Sequence, residues 1–207
     1  MPRVSGYPIP GRETRLETRV SNSRFLAILA EARTADEAHA FVRAVKAELA
    51  DASAHAYAFR AGYGGSVTEG VSDGGEPSGT AGKPMLAVLR GEDLGDVVAV
   101  VVRWFGGTKL GTGGLVRAFS GALKDALAVL PRAQRIPRCS GAVAIPYPLY
   151  ERLKLLVAAH EGAITHEDFA AAITLGLILP QARCAAFDTA LATLSGGGAR
   201  VAWTPLP

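Results

Sequence analysis

The sequence predicts an α+β protein of two domains, and three features carry that reading. Residues 96–105 (DVVAVVVRWF) are a near-continuous β-branched run, the mark of a strand covered on both faces, and helical periodicity follows it. Residues 131–138 (PRAQRIPR) hold two prolines and three arginines and read as a linker. Beyond them the chain runs strand, helix, strand, strand, helix, strand, which is the split βαβ or ferredoxin-like order. The domains are therefore placed at residues 1–134 and 137–207.

Each element rests on a local signal. Residues 1–12, with three prolines and two glycines, read as a loose arm. Residues 13–20 and 24–30, joined by Ser21-Asn22-Ser23, form a hairpin. Thr34 and Glu37 make a capping box, and Ala38, Phe41, Val42, Val45 and Leu49 recur at helical spacing over 35–50. Residues 55–60 are a short strand. Residues 62–82 hold eight glycines and read as one long loop. Thr80 is placed as the cap of a helix whose apolar face is Met85, Leu86 and Leu89. After the central strand and a second glycine-rich loop at 106–114, Leu115, Phe119, Leu123, Ala126, Leu127 and Leu130 mark a helix that Pro131 stops. In the second domain strands are placed at 140–145, 163–169, 171–179 and 199–203, with helices at 148–159 and 181–194.

Composition narrows the class. The 207 residues are 49% hydrophobic and 20% charged, ordinary for a globular chain. Net charge is +3, and the excess lies in residues 1–136, with 17 Lys and Arg against 14 Asp and Glu. Cys139 and Cys184 show no metal spacing or disulfide framework, and no signal-like or membrane-length apolar run occurs. A cytoplasmic protein without membrane association is expected, with no cofactor and no metal.

The two glycine-rich loops are where chemistry is expected. Glycine at this density lets backbone N–H groups approach another molecule. The second loop opens a helix, whose first N–H groups and dipole favour an anion. Lys109 and Arg117 flank that start. Neither loop is a known nucleotide motif. Pro77 stands where a P-loop needs its first glycine, and Val116 where a dinucleotide fingerprint needs its last. Asp73 and Glu76 read as loop-structuring carboxylates, and Ser78 and Thr80 lack a neighbouring base, so no catalytic residue is assigned. His55, at the start of a strand near the first loop, is kept as a candidate contact. His160 and His166 read as surface residues, and the cysteines as structural.

Two stretches, EPSGTAGKPML (76–86) and VVVRWFGGTKLGTGGLVRAFS (100–120), resemble the two signatures of the IMPACT family, with weaker echoes in Ser23-Arg24-Phe25 and residues 54–60. The family pattern is usually Asp-Asp-Gly-Glu-Pro, and Gly74 here replaces the second Asp, which speaks against any role needing adjacent carboxylates. The resemblance implies a first domain similar to the second domain of ribosomal protein S5. It implies a ferredoxin-like second domain similar to the last domain of elongation factor G. Eukaryotic relatives regulate translation by binding a large activator of an initiation-factor kinase; bacterial members have no settled role. The expected function is thus a non-enzymatic binding protein, associated with RNA, the ribosome or translation. The alternatives are a protein-interaction module without nucleic acid, or a binder or enzyme of a phosphorylated small molecule at the 106–114 loop. The nucleic-acid or anion surface is placed at Lys83, Arg103, Gly106, Gly107, Lys109, Thr112, Gly113 and Arg117. Partner or loop-structuring roles fall to Asp73, Glu76, Ser78, Gly79, Thr80 and His55.

Overall fold

In the computed structural model, which describes residues 6–206, the chain divides into two compact units, one spanning Tyr7–Arg135 and the other comprising Gly6 and the residues from Ile136 onward. The first contains strands β1 (Tyr7–Pro10), β2 (Thr14–Val20) and β3 (Ser23–Glu31), helix α1 (Ala35–Glu48), and strands β4 (Ala54–Tyr63) and β5 (Ser66–Ser72). Helix α2 (Gly82–Arg90), strand β6 (Val97–Trp104), helix α3 (Gly111–Val129) and strand β7 (Arg132–Arg135) complete it.

An antiparallel five-stranded sheet in the order β2-β3-β6-β4-β5 forms its frame. The β-branched run reads as it does because β6 is central and covered on both sides. Alternation along the strand sends Val97, Ala99 and Val101 to a core shared with Met85 and Leu89 of α2 and Leu115, Phe119 and Leu123 of α3. Val98, Val100 and Val102 face the opposite way, onto Val42 and Val45 of α1 and onto Phe59. Phe25 and Phe119 meet edge to face with centroids 5.3 Å apart, a geometry worth about 0.5–1.5 kcal/mol beyond area burial. By this alternation the next odd residue, Arg103, continues the α2–α3 face. That places the site.

The structure differs from the sequence expectation in three stretches of this unit. Residues 62–82 are not one loop. β4 runs on to Tyr63 and turns through Gly64-Gly65 into β5, which pairs with it from Ser66 to Ser72. β5 is an edge strand, half exposed, so its Ser, Thr, Glu and Gly residues hide the pattern. Residues 131–138 are not a bare linker, because Arg132–Arg135 pairs antiparallel with Tyr7–Pro10. The arm is accordingly a strand over that span; residues 1–5 lie outside the described residues.

Asp96 holds this ribbon. Its φ is +48°, unusual for a residue with a side chain, and its buried carboxylate offsets that cost with several partners. The Tyr7 hydroxyl donates to it at 2.7 Å, the Gly62 N–H at 2.8 Å, and the Arg135 guanidinium lies 3.4 Å away. Tyr7 also stacks on Tyr63, centroids 4.6 Å apart.

The second unit runs β8 (Arg138–Ile145), α4 (Tyr150–Ala159), β9 (Ala163–Phe169), β10 (Ile173–Pro180), α5 (Cys184–Ser195) and β11 (Thr204–Pro205). Its antiparallel order β11-β8-β10-β9 is the ferredoxin-like one. Val143, Ile145, Leu175 and Leu177 share a core with Leu153 and Val157 of α4 and Phe187 and Leu191 of α5. The strand expected at 199–203 is absent. Ala199 is buried in the core and Trp203 packs on Phe187 while donating to Asp188 at 3.0 Å, so the alternating apolar residues reflect packing rather than pairing. His160 is buried rather than superficial, bonded to the Leu156 carbonyl and set against Phe187. Both cysteines are free and buried, and burial followed by the neighbouring Cys139 pushes the Cys184 thiol up to about 11, the opposite of a nucleophile. No helix among the described residues is long and apolar enough to cross a membrane.

Burial, then the bond to Asp96, pushes the Tyr7 phenol up to about 12. Its stabilising contribution is therefore intact below the ordinary value of 10.0 and is lost as pH rises through about 12. Ultraviolet titration of the native protein against Tyr7→Phe should show one late-ionising tyrosine missing from the variant, with the other phenols unchanged.

Candidate functional site

The first loop, residues 73–81, is organised by one carboxylate. The cap position of α2 is Ala81, which has no side chain to satisfy the opening N–H groups. Asp73 reaches across instead. Its Oδ1 accepts from Ala81 and Gly82 at 2.9 Å each, and Oδ2 from Gly79 at 2.8 Å. Burial raises this carboxyl, but the three N–H donors and the charge of Lys83 outweigh it and hold it below the usual carboxylate value. Thr80, expected as the cap, is buried and turns its hydroxyl to the Pro77 carbonyl at 2.6 Å. Gly74 has φ +61°, and a Cβ there would lie 1.8 Å from the His55 carbonyl oxygen. Where the family pattern has its second Asp, this backbone is thus pressed against a strand. The His55 N–H bonds the Gly74 carbonyl, while the imidazole is bonded to the Leu49 carbonyl and is not among the residues lining the cleft described below.

The second loop follows β6, whose last two residues are Arg103 and Trp104, and Arg103 departs from the sequence expectation. Arg103 is not an exposed cation. Only 6% of it is exposed, and its guanidinium pairs with Glu76 of the first loop at 2.7 Å. It also donates to the Ser23 hydroxyl at 3.2 Å and sits over the rings of Phe25 and Phe105. Ser23 accepts a further bond from the Gly106 N–H, and a Cβ on Gly106 would lie 1.9 Å from the Asn22 carbonyl oxygen. The echo at Ser23-Arg24-Phe25 now has a physical basis. Ser23 and Phe25 brace Arg103, and Arg24 stacks on Trp104, whose indole N–H bonds Asp51. Ser23 was not placed in the site from sequence, because the signal is a contact 80 residues away.

Beside this pair lies a cleft of about 360 Å³. The first loop lines it with Glu76 and Pro77, the end of β6 and the residue after it with Arg103 and Phe105, and the second loop and start of α3 with Lys109, Gly111, Thr112 and Leu115. Helix α3 opens on it at Gly111, with Leu110 at the cap position, no capping side chain and no acid in the first turn. Gly111 (φ +72°) and Gly107 (φ +86°) need the left-handed backbone, and nothing lies within 4 Å of where a Cβ would stand on either. The Arg117 guanidinium comes back over the helix start, 3.8 Å from a Cβ position on Gly113. Lys109, Thr112, Gly113 and Arg117 are exposed. The buried Glu76–Arg103 contact brings the two glycine-rich stretches together in space. Lys83, Ser78 and Gly79 belong to the first loop and the start of α2 but do not line the cleft. Among the described residues, no cluster of His, Cys, Asp or Glu is arranged to hold a metal.

A two-unit α+β chain with this pair of loops defines a family. The Impact N-terminal domain model matches residues 21–127, and a domain of unknown function (DUF1949) matches residues 143–197. The chain is 38% identical to IMPACT family member YigZ of Escherichia coli (strain K12) over 94% of its length and 96% of that protein. It is 35% identical to an IMPACT family member of Haemophilus influenzae over 94% and 95%. A solved structure titled only as that of a hypothetical protein superposes with a TM-score of 0.72 at 38% identity, covering 96% of this chain and 97% of the other. The chain belongs to the IMPACT family.

The Asp73 carboxylate should be worth about 1–2 kcal/mol to the fold. Because its folded value is lowered, the advantage of the native protein over Asp73→Asn is full above 3.8 and fades as pH falls below it. Urea unfolding of both proteins at pH 7 and at about pH 3 checks this; an equal difference at both would contradict it.

Proposed function

We propose that the protein is a non-enzymatic binding module for single-stranded RNA in the setting of translation, with the cleft at the start of α3 as its contact surface. The observation that carries this reading is the uncapped, exposed first turn of α3, flanked by Lys109 and Arg117. Free N–H groups, the positive end of the helix dipole and two cations suit a phosphate. Arg103, neutralised by Glu76, contributes shape rather than net charge. Phe105, 48% exposed where it lines the cleft, offers a ring on which a base can stack. Family membership agrees with a binding role, since translation regulation in eukaryotic relatives rests on binding. The cytoplasm is the compartment this function requires.

Replacing Lys109 and Arg117 together by alanine should weaken binding of an RNA octamer about tenfold at low salt. The plot of log Kd against log salt should lose about 1.4 units of slope, about 0.7 for each phosphate contact to a single strand. Both residues are exposed, so the unfolding midpoint should not move. Fluorescence anisotropy across a salt series makes the measurement, and an unchanged slope would contradict the proposal.

A further inference from the structure

Within the cleft, Glu76 has more capacity than its ion pair uses. Its side chain is only 7% exposed, and Oε1 is engaged by Arg103. Oε2 has no hydrogen-bond partner among the described residues, yet the residue lines the cleft. Arg103, which also lines the cleft, has a buried Nε without a partner. The Glu76 Oε2 is not among the buried atoms without a partner, so this oxygen keeps contact with solvent and is open to a donor that a ligand brings into the cleft. The neighbours narrow that ligand. Pro77, Phe105 and Leu115 give the cleft apolar, partly aromatic surfaces suited to a flat ring, while Lys109, Thr112 and the start of α3 suit an anion. A group that is flat and apolar, bears an N–H donor at its edge and carries a phosphate is a nucleotide. Ionised Glu76 can only accept, so it selects among bases by the donor they present.

Resting on the RNA reading above, we infer that Glu76 reads the base, with its Oε2 accepting from an exocyclic amine such as that of cytosine and disfavouring uracil. Cytosine carries an N4 amine where uracil carries the O4 carbonyl, and a carboxylate attracts the first and repels the second. Arg103 acts as a positioning residue, fixing the Glu76 carboxylate by holding Oε1. The phosphate of the same nucleotide lies at Gly111–Thr112. Affinity and base choice therefore reside in different residues of one cleft.

The test compares oligo(rC) and oligo(rU) octamers on the full chain by fluorescence anisotropy. The native protein should bind oligo(rC) about tenfold more tightly, the lower end of what one base-edge contact discriminates. In Glu76→Gln the amide oxygen can still accept from Arg103, but the amide nitrogen replaces Oε2 and donates, so the preference should vanish or turn towards oligo(rU). Phe105→Ala, an exposed change, should weaken both octamers alike and leave their ratio intact. Equal binding of the two octamers by the native protein would overturn this inference while leaving the RNA reading in place, provided the salt slope still depends on Lys109 and Arg117. Binding of neither octamer would overturn both. A native preference for oligo(rC) that persists at full size in a folded Glu76→Gln variant would assign the selectivity to other residues and overturn the role of Glu76.

Discussion

The buried ion pair between Arg103 and Glu76 is the contact on which the site depends. Two loops far apart in the chain have no apolar side chains dense enough to hold each other. What joins them is a guanidinium at the end of the central strand, carried into the interior by the alternation of β6. Taking both charges from water is expensive, and such a pair is weak as a source of stability. It is strong as a constraint, because removing one partner strands the other charge, at a cost of about 3–5 kcal/mol. Ser23 and the rings of Phe25 and Phe105 complete the enclosure of the guanidinium. The loops are fixed relative to each other by charge and hydrogen bonding, and the apolar core beneath supplies the stability.

This arrangement divides labour among the glycines. Gly74 and Gly106 are pressed against the carbonyls of His55 and Asn22, where no side chain fits. Gly107 and Gly111 instead face open space with positive φ. The first pair lets the loops pack down on the sheet. The second pair turns the chain so that α3 begins at the cleft with its N–H groups uncovered. Asp73 performs for α2 what no side chain among the described residues performs for α3. One helix start is closed by a carboxylate and the other left open, and this asymmetry is the strongest reason to look for a ligand at Gly111.

Much of the frame was legible in the sequence, for identifiable reasons. The β-branched run of β6 could only be a strand covered on both sides. The capping role of Thr34 is present, its hydroxyl accepting the Glu37 N–H at 3.1 Å, although Glu37 reaches back to the Arg33 N–H. The ferredoxin-like order followed from well-separated periodic segments. Failures fell where pattern and environment part company. β5 is an edge strand whose partner, not its composition, makes it a strand. β1 and β7 are too short to announce themselves and are held by Asp96. Arg103 looked like an exposed cation because burial of a charge depends on a partner 27 positions away, which no local pattern reveals. Ser23 and the misplaced cap at Thr80 failed for the same reason, since Asp73 satisfies α2 from outside the helix. Lys109 just before α3, and Thr112 and Arg117 in its opening turns, are exposed, and for such residues the local pattern carries the information.

The central claim is that the cleft between the two loops, fixed by Arg103 and Glu76, is where this protein meets its ligand. Backbone amide shifts followed by nuclear magnetic resonance during titration with a single-stranded RNA octamer test it most directly. The account predicts that the largest shifts fall on Gly111, Thr112, Gly113 and Gly114, with Glu76 and Phe105 moving in step. Shifts confined to residues outside this cleft, with the start of α3 unmoved, would contradict it.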